Sequence, residues 1–342
     1  MRPLRRHFLD RSRGRRRPRA DAGPPALDLS PVEDHWRKRF GIGAWPVEDL
    51  YYGLIERFVG DVVIADPEAF ARVRGKSCLY LANHQVAVES LLFSVIASAL
   101  SGVATVTLAK AEHRGSWVGE LIRHSFSYPG ITDPKLITFF DREDRESLMR
   151  IIGELGQEMA QRGKSAMVHV EGTRGLSCRA GGEDELGLHR HGLRRGRCPS
   201  CRCASWVDCR WTSSRSASSC RSATADRTSG LAAPSSPPSS RSLPLKERKQ
   251  VVIDAINGLG PGPAREAPSA PDPAFGARVE QWMARAGMTP EKAALAATLE
   301  ALPHLRSEAT GRLVSALREG RALGGDEPRE QWLEGFRRWL GG

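Results

Sequence analysis

Three short stretches of the sequence combine residue types that could do chemistry, and the first is Asn83-His84-Gln85-Val86-Ala87-Val88-Glu89. An imidazole can take a proton from an attacking hydroxyl near neutral pH, and a carboxylate that accepts from the other ring nitrogen fixes the tautomer for that task. His84 and Glu89 are five residues apart, and on a straight helix positions i and i+5 lie about 140° apart, so a turn must bring the carboxylate back. The second stretch is Phe139-Phe140-Asp141-Arg142 and the third is Val168-His169-Val170-Glu171-Gly172-Thr173-Arg174. Each ends in an arginine, whose planar fork of donors matches the oxygens of a phosphate. Gly172 lets backbone approach a ligand closely and Thr173 adds a hydroxyl. Each stretch also has a plain structural reading: a loop histidine satisfied by its neighbours, and surface ion pairs of the arginines with Asp141 and Glu171.

The elements that must position these residues alternate along the chain. Short apolar runs at Cys78 to Ala82, Val103 to Leu108, Leu136 to Phe140 and Ala166 to Val170 predict buried strands. Arg145 to Arg162, with Leu148, Ile151, Ile152, Leu155 and Met159 at helical spacing, predicts a helix between two of them. Alternating strands and helices imply an α/β layered sheet, and the chemistry-bearing stretches follow strand ends, where such folds place their sites. A helical stretch with Trp36, Trp45, Tyr51, Leu54 and Phe58 precedes the first strand. Beyond it lie a helix at Leu245 to Ile256, a Gly/Pro-rich linker over 258–273 and a C-terminal helical module over 274–342. Trp282, Met283, Met288, Leu295, Leu299, Leu302, Leu305, Leu313, Leu317, Trp332, Phe336 and Trp339 supply the apolar faces of that module, which reads as a packing accessory.

Charge is unevenly placed. Met1 to Arg19 holds nine arginines against Asp10 alone, and Cys178 to Ser242 holds eleven against five acids. These segments carry +8 and +6 of a total of +11, which leaves the rest at −3 and gives no basic nucleic-acid-binding body. Residues 1–29 read as a disordered Arg/Pro-rich arm with no apolar segment of the secretory kind. The uncharged run from Ser90 to Ala109 has the length of a bilayer span, but its six Ser or Thr residues and the Ser101-Gly102 break divide it into a buried helix and a buried strand.

Taken together and in this order, the three stretches resemble the glycerolipid acyltransferase family, of which 1-acylglycerol-3-phosphate acyltransferases are members. Its pattern is a His-x4-Asp block, an Arg-containing block and a Glu-Gly-Thr-Arg block, and the resemblance covers Tyr51 to Ser177. It implies a glycerol-3-phosphate acyltransferase-like sheet with flanking helices over 30–257. It also implies that His84 is the catalytic base, assisted by Glu89, and that Arg142, Glu171, Gly172, Thr173 and Arg174 contact the substrate phosphate. The reaction so implied is acyl transfer from acyl-CoA or acyl carrier protein to a lysophospholipid hydroxyl, in phospholipid biosynthesis, with no cofactor and no metal. The expected partners are the acyl donor, the lysophospholipid acceptor and a membrane surface, with no nucleic acid. The expected location is cytoplasmic, peripheral to the inner face of the cell membrane, with the Arg-rich arm held by anionic lipid at about 1 kcal/mol per basic residue.

Two departures from the family pattern stand out. Glu89 replaces the usual Asp and moves the carboxylate by roughly 1 to 1.5 Å, a His-x4-Glu spacing that lipid A lauroyl-type acyltransferases share. The second is larger: the family's proline-bearing strand, about 30 residues past Glu-Gly-Thr-Arg, is missing. From Ala180 to Ser242 the chain instead shows Arg, Ser, Cys, Pro, Gly and Trp, no lysine and no helical or strand period. GC-rich DNA translated out of frame has that composition. Synonymous codons for Arg197 to Thr212, taken from their third base, give VPVVPVRFVGGLPVD, which is the missing strand. The same frame through Ser213 to Ser235 gives ELAKRLELPVGYGRPNIWLGRPI, and a frame from the second base of Ala180 gives PVEKMSSVFIDM up to His191. Two slips are implied, with the original frame returning near Leu243. The competing reading of this stretch is a zinc site from Cys198, Cys201, Cys203, Cys209, His189 and His191, at a spacing that fits no usual knuckle.

Overall fold

The structure, a computed structural model, describes residues 28–43, 45, 48–59, 61–64, 66–83, 89–131, 136–141, 143–170, 228–231, 244–259, 273–301 and 307–341. In chain order its elements begin with α1 (Ser30–Phe40), α2 (Glu48–Phe58), β1 (Asp61–Ile64), α3 (Pro67–Val73), β2 (Leu79–Ala82), α4 (Glu89–Ser101), β3 (Thr105–Lys110) and α5 (Trp117–Ser125). They continue with β4 (Ile137–Phe140), α6 (Arg145–Arg162), β5 (Ser165–His169), β6 (Thr228–Leu231) and α7 (Leu245–Leu259). Four helices close the chain, α8 (Pro273–Ala286), α9 (Pro290–Glu300), α10 (Glu308–Glu319) and α11 (Pro328–Gly341).

The uncharged run becomes α4 and β3, split at Gly102, whose φ of 75° lies in the left-handed region that glycine adopts without penalty. All six of its Ser and Thr residues are buried. Ser98 Oγ donates to the Ser94 carbonyl at 2.6 Å and accepts the Thr105 N–H at 2.9 Å. Ser101 Oγ donates to the Ala97 carbonyl at 2.7 Å, and Ser94 and Thr107 share a hydroxyl–hydroxyl bond of 2.5 Å. The polar groups therefore stitch helix to strand inside the core, where an unpaired hydroxyl would cost about 1–3 kcal/mol. No helix among the described residues is long and apolar enough to cross a membrane.

Four parallel strands form the main sheet in the order β2-β5-β3-β4. Leu79 pairs with Ala166, Thr105 with Ser165 and Thr107 with Ile137. The mixed α/β architecture is consistent with an α/β acyltransferase fold. Each predicted strand run is present, shifted by up to two residues. The burial expected of the first run is not: among the described residues β2 is an edge strand, and its alternate side chains Leu79 and Leu81, on one face, are 56 % and 43 % exposed. On the other face of β2, Tyr80 meets the Phe93 ring edge-on at 5.3 Å.

Helix α6 has the predicted ends, with Asp144 accepting the Ser147 N–H at 2.9 Å and Gly163 closing it at a φ of 64°. Ile151 is buried under it, whereas Ile152, assigned to the same apolar face by spacing, is 48 % exposed. Outside the main sheet, β6 pairs in parallel with β1, Asp61 opposite Thr228 through Ile64 opposite Leu231. These four residues are the described part of the 180–242 stretch.

The helices at the two ends of the chain share one core. Trp36, Leu50, Leu54, Ile55, Leu91, Leu121, Phe275, Leu295, Leu299, Leu313 and Phe336 are all buried in it. Trp36 Nε1 donates to the Val95 carbonyl of α4 at 3.1 Å, and Trp332 Nε1 donates to the His124 carbonyl at 3.0 Å. Asp49 accepts the Ser307 N–H at the start of α10, 258 residues away. The C-terminal helices thus pack into the body of the protein, with α9 against α2 and α5.

Candidate active site

Because β2, β5, β3 and β4 run parallel, their carboxyl ends lie along one edge of the sheet. Asn83 follows β2, Val170 follows β5, Lys110 ends β3 and Asp141 follows β4. With strands about 4.8 Å apart, the first two ends are neighbours, and the β4 end lies roughly 10 Å from the β5 end. The three stretches singled out by residue type therefore emerge on the same edge. His84, Arg142, Glu171, Gly172, Thr173 and Arg174 themselves lie outside the described residues. Glu89 is described: it is half-buried and opens α4, the helix expected to follow the His84 stretch.

Among the described residues at this edge, His169, the last residue of β5, which the sequence places two positions before Glu171, bonds at both ring nitrogens. Its Nδ1 lies 2.7 Å from the Asn83 carbonyl oxygen and its Nε2 lies 2.8 Å from Ser90 Oγ. A carbonyl only accepts, so Nδ1 carries the proton, and in the neutral form of the ring Nε2 then accepts the Ser90 hydroxyl. The ladder continues to this point, since the Val170 N–H donates to the Ala82 carbonyl at 3.0 Å. Ser90 is tied further inward, its carbonyl accepting from Thr107 Oγ1 at 3.2 Å. Residue type alone drew attention to His84; what distinguishes His169 is strand pairing across 86 residues, which no local pattern carries.

The β3 end was passed over in the sequence, although the rule that picked out the other strand ends applies to it equally. It presents Lys110 and, in the 3-10 turn Ala111–Gly115, Arg114, whose guanidinium lies 5.5 Å from the centre of the Phe139 ring on β4. Gly119 of α5 presses against this turn. A Cβ there would meet the carbonyl oxygens of His113 and Arg114 at 2.5 Å, so only glycine lets the helix approach. Among nucleophile candidates, Cys78 stands just before β2, where burial pushes its thiol up, against the pull of Lys76, and so disfavours a thiolate.

The Cys and His residues of the alternative zinc reading lie outside the described residues, and among the described residues no group of three or more His, Cys, Asp or Glu is arranged to hold a metal. The Acyltransferase family model matches residues 61–195, a span that begins at β1 and contains all three chemistry-bearing stretches. No curated protein and no solved structure matches the chain. Residues 61–195 therefore carry an acyltransferase-family domain, which supports an acyl-transferring enzyme.

Proposed function

We propose that the chain transfers an acyl group from acyl-CoA or acyl carrier protein to the free hydroxyl of a lysophospholipid such as 1-acylglycerol-3-phosphate, at a membrane surface. The observation that supports the reading is that β2, β5 and β4, the strands that precede His84, Glu171–Arg174 and Arg142 in sequence, run parallel and end on one edge of the sheet, inside the span of the family match. In the proposed reaction His84 takes the proton of the acceptor hydroxyl and Glu89 holds the imidazole. The oxygen attacks the thioester carbonyl, the C–S bond breaks, and the departing thiolate recovers the proton from His84. Arg142 and Arg174 hold the acceptor phosphate, with Glu171, Gly172 and Thr173 shaping its seat. No acyl-enzyme is formed.

The test is transfer from a long-chain acyl-CoA to 1-acylglycerol-3-phosphate by the full chain and by its His84→Ala variant. Loss of turnover in the variant supports the base, whereas equal rates in the two would remove His84 from the mechanism. The composition of Ala180 to Ser242 favours a second reading, that the chain is a frameshifted and inactive relative. A repeat DNA sequence across those codons separates the two, since extra or missing bases would make the frame-corrected chain the enzyme to assay.

A further inference from the structure

We infer that His169 is a positioning residue: a neutral imidazole that ties the end of β2 to the first turn of α4 and so fixes both ends of the connection that carries the proposed base. The inference rests on the reading of His84 given above, while Asn83, Ser90, His169, Thr107 and Ser94, on which the clamp is argued, are all described residues.

The five residues 84–88 join Asn83 to Glu89. One side chain bonds on either side of them, at 2.7 Å to the Asn83 carbonyl and at 2.8 Å to Ser90 Oγ. The far side of the clamp is rigid, because Ser90 is fastened by its carbonyl to Thr107 at 3.2 Å and Thr107 by its hydroxyl to Ser94 at 2.5 Å, all in the buried core. The near side is rigid too, because β5 is an inner strand paired with both β2 and β3. The clamp acts on the residues at either side of the proposed base, and a base held to within a fraction of an ångström is what proton transfer from a bound hydroxyl requires.

The same contacts could be taken for a serine nucleophile and its base. Burial decides between the two. Ser90 is only 8 % exposed and its oxygen bonds a histidine that strand pairing holds in place, which disfavours attack on a bulky thioester. A nucleophile must meet its substrate, whereas a clamp works best out of solvent, where its hydrogen bonds face no competition from water.

The test uses the full chain, wild type and His169→Phe, His169→Asn and Ser90→Ala, with two readouts that do not need turnover. Nitrogen-15 NMR of the wild type should find His169 protonated at Nδ1 and bare at Nε2; the opposite tautomer overturns the clamp. Hydrogen exchange should accelerate by about 10-fold or more in peptides covering residues 83–92 of His169→Phe, and unchanged exchange there overturns it as well. In acyl transfer, His169→Phe should lose about 100-fold in kcat, the scale of a 1 Å misplacement, with KM little changed. His169→Asn, whose amide can still donate to the Asn83 carbonyl, should recover part of that loss. An acyl adduct on Ser90 would overturn the clamp in favour of the nucleophile. If His84→Ala abolishes transfer while His169→Phe does not, the clamp falls and the proposed function stands. If the wild type transfers nothing, the proposed function falls and the tautomer and exchange results still decide the clamp.

Discussion

Ser98→Ala tests the polar stitching of α4 to β3, because it removes one oxygen and leaves every apolar contact in place. In the wild type that oxygen is fully buried, donates to the Ser94 carbonyl at 2.6 Å and accepts the Thr105 N–H at 2.9 Å. The two losses are unequal. The Ser94 carbonyl already serves as a helix acceptor, so forfeiting the hydroxyl costs about 0.5 kcal/mol, the low end of a net hydrogen bond. The Thr105 N–H, at the head of a central strand with no exposed surface, keeps its desolvation and loses its acceptor, at about 1–3 kcal/mol. The expected destabilisation is therefore about 1.5–3.5 kcal/mol, or a fall of roughly 2–5 °C in Tm for a chain of this size. Urea unfolding followed by far-UV circular dichroism measures it as a lower midpoint at constant slope. A change below about 0.5 kcal/mol, the ordinary surface range, would refute the claim that the buried hydroxyls of the α4–β3 unit hold its fold.

Two further outcomes follow from the packing and the charges. Gly119→Ala puts a methyl 2.5 Å from the backbone oxygens of His113 and Arg114, so the 3-10 turn beside Lys110 must move. The expected cost is about 1–3 kcal/mol in the same urea assay, and a variant as stable as wild type would mean that α5 does not press on the turn. Burial pushes the Glu48 carboxyl above its ordinary value of 4.5, with the Arg37 guanidinium opposing. The folded state therefore holds this proton more tightly than the unfolded chain, and the stability so gained is present in acid and is lost as pH rises through the folded value. In Glu48→Gln the term is absent, so from pH 4.5 upward the variant should gain stability relative to wild type. Unfolding in urea across that range checks it, and a difference that grows the other way would contradict the assignment.

Local pattern was enough for the strands of the main sheet and for the helices α4 and α6. Apolar runs marked the four strands of the main sheet, the 145–162 spacing gave α6 with both its ends, and Ser101-Gly102 marked the break that Gly102 makes at a φ of 75°. These signals are legible because helix and strand periods, a glycine's freedom and a capping aspartate act within a few residues. The same reading could pick out His84, Arg142 and Glu171–Arg174 by residue type, since a base and phosphate-binding forks are recognisable wherever they stand.

Tertiary structure decided what those elements do to one another. The order β2-β5-β3-β4 exposes Leu79 and Leu81 at an edge that an apolar run could not reveal, and it brings His169 to Asn83 and Ser90 across 86 and 79 residues. Only the folded chain shows that the serines of α4 bond to β3, that Gly119 faces a turn, and that Asp49 meets Ser307, so that the C-terminal helices share the core of the helices before the sheet. Sequence reports the preferences of each segment, but the partner that satisfies a buried hydroxyl, carbonyl or apolar face is chosen by packing between segments far apart in the chain.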